Sequence, residues 1–381
     1  MITAGASCSC CINRFHVIAQ LDHQQKYCLQ AYTEKGKNSD TMDPSETNYD
    51  DDAWDRNNLL ALLQAEQPDW DKIAARVETH AFEESFLADP LTKMNAVHYI
   101  VLRRRTCPDG IEKVMDIAKA ILLENSEAAV VCETTNGFTP LQFICDSAPD
   151  AYEVDDEEKV EEYLQQDASL ITALHEINDI AMDMASKQGL TPLAVFVAAL
   201  SRLMRQRKLS NKPDIDVSTS PVLEVLMEKS SLADCEKALN TLYMCNTFDV
   251  MRHWQEEEQI ALKGDFSQGL EGYWLLDLMV AILFAAHQQL YPGQTITNFS
   301  PLFTLASLKD CPLPFLFIAL YAAPEELRKA FSQGNLPLHK VAGWTLLEGD
   351  PVIRKSIALT AMMKMFPESD EARNDSGETP T

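Results

Sequence analysis

A short phrase recurs along this chain and constrains its fold more than any other feature. It reads Asn136-Gly137-Phe138-Thr139-Pro140-Leu141-Gln142, then Gln188-Gly189-Leu190-Thr191-Pro192-Leu193, then Gly334-Asn335-Leu336-Pro337-Leu338-His339-Lys340-Val341-Ala342. A further copy begins at Ser376-Gly377-Glu378-Thr379-Pro380-Thr381. Each part of the phrase has a mechanical role. Gly supplies a turn, and the Thr hydroxyl caps the first free N–H groups of a helix. Pro at the first helical position loses nothing by lacking an N–H, and Leu is the first residue to face a core. A unit of turn, cap and helix start that repeats along a chain predicts stacked helical hairpins rather than one closed core.

Set in one frame, the copies begin at Asn95, Thr139, Thr191, Ser300, Leu336 and Thr379, at intervals of 44, 52, 109, 36 and 43 residues. Degraded copies fall at Ser220-Pro221-Val222-Leu223 and Gly272-Tyr273-Trp274, and 313–319 has the same grammar, giving about six to eight units. The phrase Gly-x-Thr-Pro-Leu-His-x-Ala is the signature of ankyrin repeats, and the chain resembles a divergent ankyrin-repeat protein with elongated, irregular units. The resemblance implies an all-α, ankyrin-like helical-hairpin solenoid, a protein–protein interaction scaffold, no cofactor and a monomer. It makes His98 and His339 backbone ties between neighbouring turns rather than ligands. It also implies that turn tips and inner helices touch a partner, which places Phe138, Gln142, Lys187, Gln188, Ala194 and Lys340 at the binding surface.

Charge narrows the class of partner. The chain carries 58 acidic against 32 basic residues, a net charge of −26. Bare nucleic acid and anionic membrane surfaces are poor complements to such a surface, whereas a basic protein face is a good one. The clusters Arg103-Arg104-Arg105 and Arg202, Arg205, Arg207, Lys208, Lys212 are the exceptions. Each reads either as a dock for an acidic peptide or phosphate, or as cations offsetting a helix end.

Composition divides the chain into three. Residues 1–52, Cys-rich and then acidic, have little to bury and are expected to be disordered. Residues 53–366 carry a helical period, seen over 95–104, 111–122, 170–184, 190–207 and 351–366. Helices are also expected over 250–262 and 324–331, and Asp109 with Glu112 reads as a capping box. The acid-rich stretch 146–167 reads as a solvated insertion or an exposed helix, not a core element. The last segment, 367–381, is expected to fray, with 352–366 ending the stack.

Catalytic patterns are not found: the sequence has no Gly-x-Ser-x-Gly elbow, Gly-x-Gly-x-x-Gly, Walker loop or His-Glu-x-x-His. Cys8, Cys10, Cys11, His16, His23 and Cys28 are the one Cys/His cluster, but only Cys8 and Cys11 have zinc-ligand spacing, so no metal site is expected. Acylation of Cys8, Cys10 or Cys11 would tether the chain to a membrane; Met42 is an alternative initiator that would leave these residues untranslated. The N-terminus lacks a signal-peptide pattern, and the apolar runs 274–286 and 313–323 fall short of the ~20 residues of a membrane span. Both are therefore expected as buried helices of a cytoplasmic or also nuclear protein. Two rival readings stand beside the scaffold: an acylated membrane adaptor, and an enzyme on an unrecognised all-α fold.

Overall fold

The computed structural model describes residues 58–380 apart from 109, 213, 214, 218, 253–273, 294–298, 309 and 345–349. The segment 1–52, with Cys8, Cys10 and Cys11, and most of the helix expected over 250–262 lie outside the described residues. The fold is all-α. Among the described residues there is no strand, only one antiparallel bridge between Ala88 and Asn95.

The helices are α1 (Leu59–Gln64), α2 (Trp70–Glu84), α3 (Ala96–Arg103), α4 (Ile111–Glu124), α5 (Pro140–Ser147), α6 (Glu157–Ile177), α7 (Ile180–Asp183) and α8 (Pro192–Leu209). They continue as α9 (Pro221–Lys229), α10 (Leu232–Cys245), α11 (Trp274–Leu290), α12 (Pro301–Ser307), α13 (Leu313–Ala322), α14 (Pro337–Ala342) and α15 (Asp350–Met365). Their packing forms two rows. In the inner row α1, α3, α5, α8, α10, α11, α12 and α14 each touch the next; α2, α4, α6 and α9 form an outer row beside it. Contacts of α3 with α4, α5 with α6 and α8 with α9 link the rows.

Position in the rows explains the apolar patterns. Outer helix α4 buries one stripe, Val114, Ile117, Ala118, Ile121 and Leu122, because only one face meets the stack. Inner helix α8 touches α5, α9 and α10 and buries residues all round, from Leu193 and Phe196 to Leu203 and Met204. The apolar helices α11 and α13 are buried, as their composition requires.

Helix starts follow the repeated phrase. Thr139 Oγ accepts the N–H of Gln142 at 3.3 Å, and Gln142 Oε1 accepts that of Thr139 at 3.0 Å, a reciprocal cap. Ser300 Oγ caps Phe303 at 3.0 Å and donates to buried Glu326 at 2.6 Å, whose carboxylate also accepts the Leu302 N–H. Burial of this carboxyl raises its pKa. Thr191 starts α8 without a side-chain cap bond.

Three expectations need correction. The acidic stretch 146–167 includes the start of helix α6 but is not excluded from the core, because Ala148, Pro149, Ala151, Leu164 and Asp167 are buried. The other acids of α6, Glu157, Glu158, Glu161, Glu162 and Glu176, are exposed. Residues 324–331 form a short 3₁₀ turn, Pro324–Arg328, rather than a helix. The N-cap of α4 is Gly110, and Asp109 of the expected capping box lies outside the described residues. Finally, 367–380 does not fray. It forms a 3₁₀ turn at Pro367–Asp370 with Ser369 buried, and then a turn that stacks on its predecessor.

Candidate partner-binding surface

Five tight turns precede inner helices or helix starts, at 89–94, 133–138, 186–190, 331–335 and 374–378. Each is closed by one backbone hydrogen bond, for example Glu133 N–H to Phe138 O at 3.0 Å and Asn374 N–H to Glu378 O at 3.0 Å. Each also bends through a positive φ two residues before the cap position: Lys93 (60°), Gly137 (70°), Gly189 (76°), Gly334 (69°) and Gly377 (81°). Side chains at the turn entrances accept the remaining N–H groups. Asp89 accepts from Leu91 and Thr92, Glu133 from Thr135, Asn136 and Phe138, Ser186 from Gln188 and Leu190, and Asn374 from Ser376 and Glu378. Sequence reasoning missed these four residues. A short polar side chain just ahead of Gly-x-Thr was the signal that could have found them.

Neighbouring turns are joined by the same two bonds each time. In the first, a backbone N–H of one turn donates to a carbonyl of the turn before: Thr134 to Thr92 at 2.8 Å, Lys187 to Asn136 at 3.0 Å and Asp375 to Gln333 at 3.0 Å. In the second, the residue after Pro-Leu donates to the carbonyl just before the next cap. His98 Nε2 reaches Phe138 O at 3.2 Å, Gln142 Nε2 reaches Leu190 O at 2.9 Å, and His339 Nε2 reaches Glu378 O at 3.2 Å. His98 and His339 use their other nitrogen, Nδ1, to accept the N–H of Asn95 and Leu336, both at 3.2 Å. The imidazoles are thus backbone ties. Desolvation pushes His98 down to about 4, against the opposing pull of the Phe138 carbonyl and Glu133.

This ladder divides the six residues expected at the binding surface. Gln142 and Ala194 are fully buried and Phe138 nearly so. Gln142 is spent on the tie and on a second bond to Met184 O, Phe138 packs edge to face on Phe143, and Ala194 lies inside the inner row. These three are stacking residues, because the positions before and after the cap point at the next unit. Lys340 is half-buried over the rings of Tyr291 and Phe303, 5.8 and 5.5 Å from their centroids. Lys187 and Gln188 are exposed at the turn tip, and Lys187 Nζ donates to Thr134 O. The tips of the first three turns place exposed Leu91, Lys93, Thr134, Thr135, Lys187 and Gln188 side by side.

Most cations of the two basic clusters are paired with acids of this chain, although Arg205, Lys208 and Lys212 remain exposed. Arg104 is buried; its guanidinium forks onto Asp167 through Nε and Nη2 and donates to Val101 O and Ser147 Oγ. Arg105 shares Asp167 at 2.9 Å and lies over the Tyr163 ring at 5.2 Å. In the second cluster Arg202 pairs with Asp146, Arg207 and Lys212 with Glu153, and Lys208 with Asp249. Three acids of 146–167, Asp146, Glu153 and Asp167, are therefore partners of these cations across neighbouring units.

Among the described residues all six cysteines are free thiols, and no group of three or more His, Cys, Asp or Glu is placed to hold a metal ion. Burial pushes Cys235 and Cys311 up to about 12, which keeps these thiols protonated. No helix among the described residues is long and apolar enough to cross a membrane. The sequence matches no family model and no curated protein significantly.

Proposed function

We propose that this chain is a nonenzymatic protein-interaction scaffold, an ankyrin-type stack that presents a row of turn tips to a protein partner, working as a monomer in the cytoplasm or nucleus. The observation that carries the reading is the ladder of turns. Its two bonds recur in the same frame from the Asn95 copy to the Thr139 and Thr191 copies, and from the Leu336 copy to the Thr379 copy. Such bonding fixes the backbone of the turns and leaves side chains such as Leu91 and Gln188 exposed at their tips, the arrangement that a rigid scaffold with variable contacts needs. Leu91 is 77% exposed at one tip, and Lys187 and Gln188 are exposed at another.

The test is affinity capture with the wild-type chain and with a Leu91→Asp/Gln188→Arg variant, read by quantitative mass spectrometry. A protein enriched by the wild type and lost by the tip variant, with equal melting temperatures for the two baits, is the expected result. Partners held equally well by both baits would sink the turn-tip reading.

A further inference from the structure

A second set of exposed residues lies at the C-terminal ends of the outer helices α2, α4 and α6. Two equivalent ties align these ends. Asn125 Nδ2, at the end of α4, donates to Ser85 O at the end of α2 (3.3 Å), and Asn178 Nδ2, at the end of α6, donates to Ser126 O (3.1 Å). Beside the ties stand four large apolar side chains in the open: Phe82 at 65% exposure, Phe86 at 64%, Leu123 at 80% and Ile180 at 56%. Phe82 and Phe86 pack edge to face, with centroids 6.3 Å apart. One exposed apolar residue is ordinary; four aligned across three consecutive units form a patch of the kind that marks an interaction site.

Charge around the patch specifies the occupant. Glu83, Glu124, Glu127, Glu176 and Asp179 are exposed along its length. Three helix C-termini add partial negative charge, and the last four residues of α2, α4 and α6 include no Lys or Arg to offset it. Spacing specifies its form. Packed outer helices repeat every 8–10 Å or so, and seven residues of an α-helix rise about 10.5 Å. We propose that this row docks a basic amphipathic helix of a partner protein, its apolar residues at i, i+7 and i+14 seated on Phe86, Leu123 and Ile180 and its Lys and Arg flanks on the acidic rim.

The proposal rests on the scaffold reading but uses other residues, so separate substitutions let the two fail separately. The probe is a labelled synthetic helix of about three heptads, with Leu on one stripe and Lys elsewhere, titrated by fluorescence anisotropy near physiological salt. Saturable binding is expected, at least about tenfold weaker for Phe86→Ser/Leu123→Ser, and several-fold weaker for Glu124→Lys/Asp179→Lys. These side chains are exposed, so the variants should keep the wild-type melting temperature. The turn-tip variant Leu91→Asp/Gln188→Arg should bind the probe unchanged. Three results would overturn the proposal: equal affinity for the Ser variant; equal affinity of wild type for a scrambled peptide of the same composition or for one with Glu in place of Lys; or sedimentation showing a wild-type dimer that the Ser variant dissolves, which would make the row a contact between two copies.

Discussion

Leu141 and Thr139 stand two residues apart and hold the fold by different means. Leu141 is fully buried between units, so Leu141→Ala removes apolar burial and leaves a cavity; a loss of about 2–5 kcal/mol is expected in urea unfolding. Thr139→Ala forfeits one N-cap bond and should cost about 1 kcal/mol. Equal, negligible shifts would mean that the phrase does not start a packed helix. His98 adds a pH dependence. Its folded pKa, about 4, lies below the ordinary 6.5, so between these values the unfolded chain binds the proton and the folded one does not. The stability it lends is complete above pH 6.5 and is lost as pH falls toward 4, to a total of about 3 kcal/mol. Gln142 makes the same tie with an amide that does not titrate, so His98→Gln should fold and should show a flatter acid limb than wild type. An unchanged limb in urea melts from pH 7 to 4 would remove His98 as the cause.

Turns, as elements, differ in what lies next to them. Gly137 and Gly189 have almost the same positive φ, yet a Cβ at Gly137 would meet the Lys187 backbone N at 2.9 Å, while at Gly189 it would meet nothing within 4 Å. Both Ala substitutions incur the left-handed strain of about 1–2 kcal/mol. Only Gly137→Ala also pushes apart two stacked turns, so it should be the more destabilising of the pair in denaturant melts. If Gly189→Ala costs as much, the ladder between turns contributes nothing beyond local strain. The contact between α3 and α6 works across elements too: one buried carboxylate, Asp167, holds two arginines from the end of α3. Sequence patterning read the arginines as a surface cluster and the acids around Asp167 as solvated. The error has a physical source, since a charge run on a helix does not reveal which single member turns inward toward a partner more than 60 residues away.

At the scale of the molecule, stability is expected to spread along the rows through nearest-neighbour contacts, so each end depends on what covers it. The segment 367–380 covers the Leu336 copy. Asp375 N–H bonds Gln333 O, Asn374 Nδ2 bonds Asn335 Oδ1 at 3.1 Å, and His339 bonds Glu378 O. Truncation after residue 366 should therefore lower the melting temperature and expose α14 and α15 to faster hydrogen exchange than the Thr139 copy. At about 1 kcal/mol per hydrogen bond, a loss of a few kcal/mol is expected locally. An unchanged melting temperature, with unchanged exchange in α14, would show that the tail adds nothing.

What the sequence by itself determined was where helices begin and that they are stacked in pairs. Thr139-Pro140, Ser300-Pro301 and Leu336-Pro337 act within four residues, so their meaning is complete in the local chain. It also placed His98 and His339 as ties, through a pattern whose partner recurs at each copy. Only the tertiary structure decided which side of each helix start faces the next unit. That choice buried Phe138, Gln142 and Ala194 while leaving Lys187 and Gln188 at the surface. It also joined Arg104 to Asp167, folded the tail onto the 331–335 turn, and aligned Phe86, Leu123 and Ile180 in the open. These arrangements depend on contacts between residues about 40 to 60 positions apart. Their register is set by how the units pack, and no periodicity within a single helix encodes it.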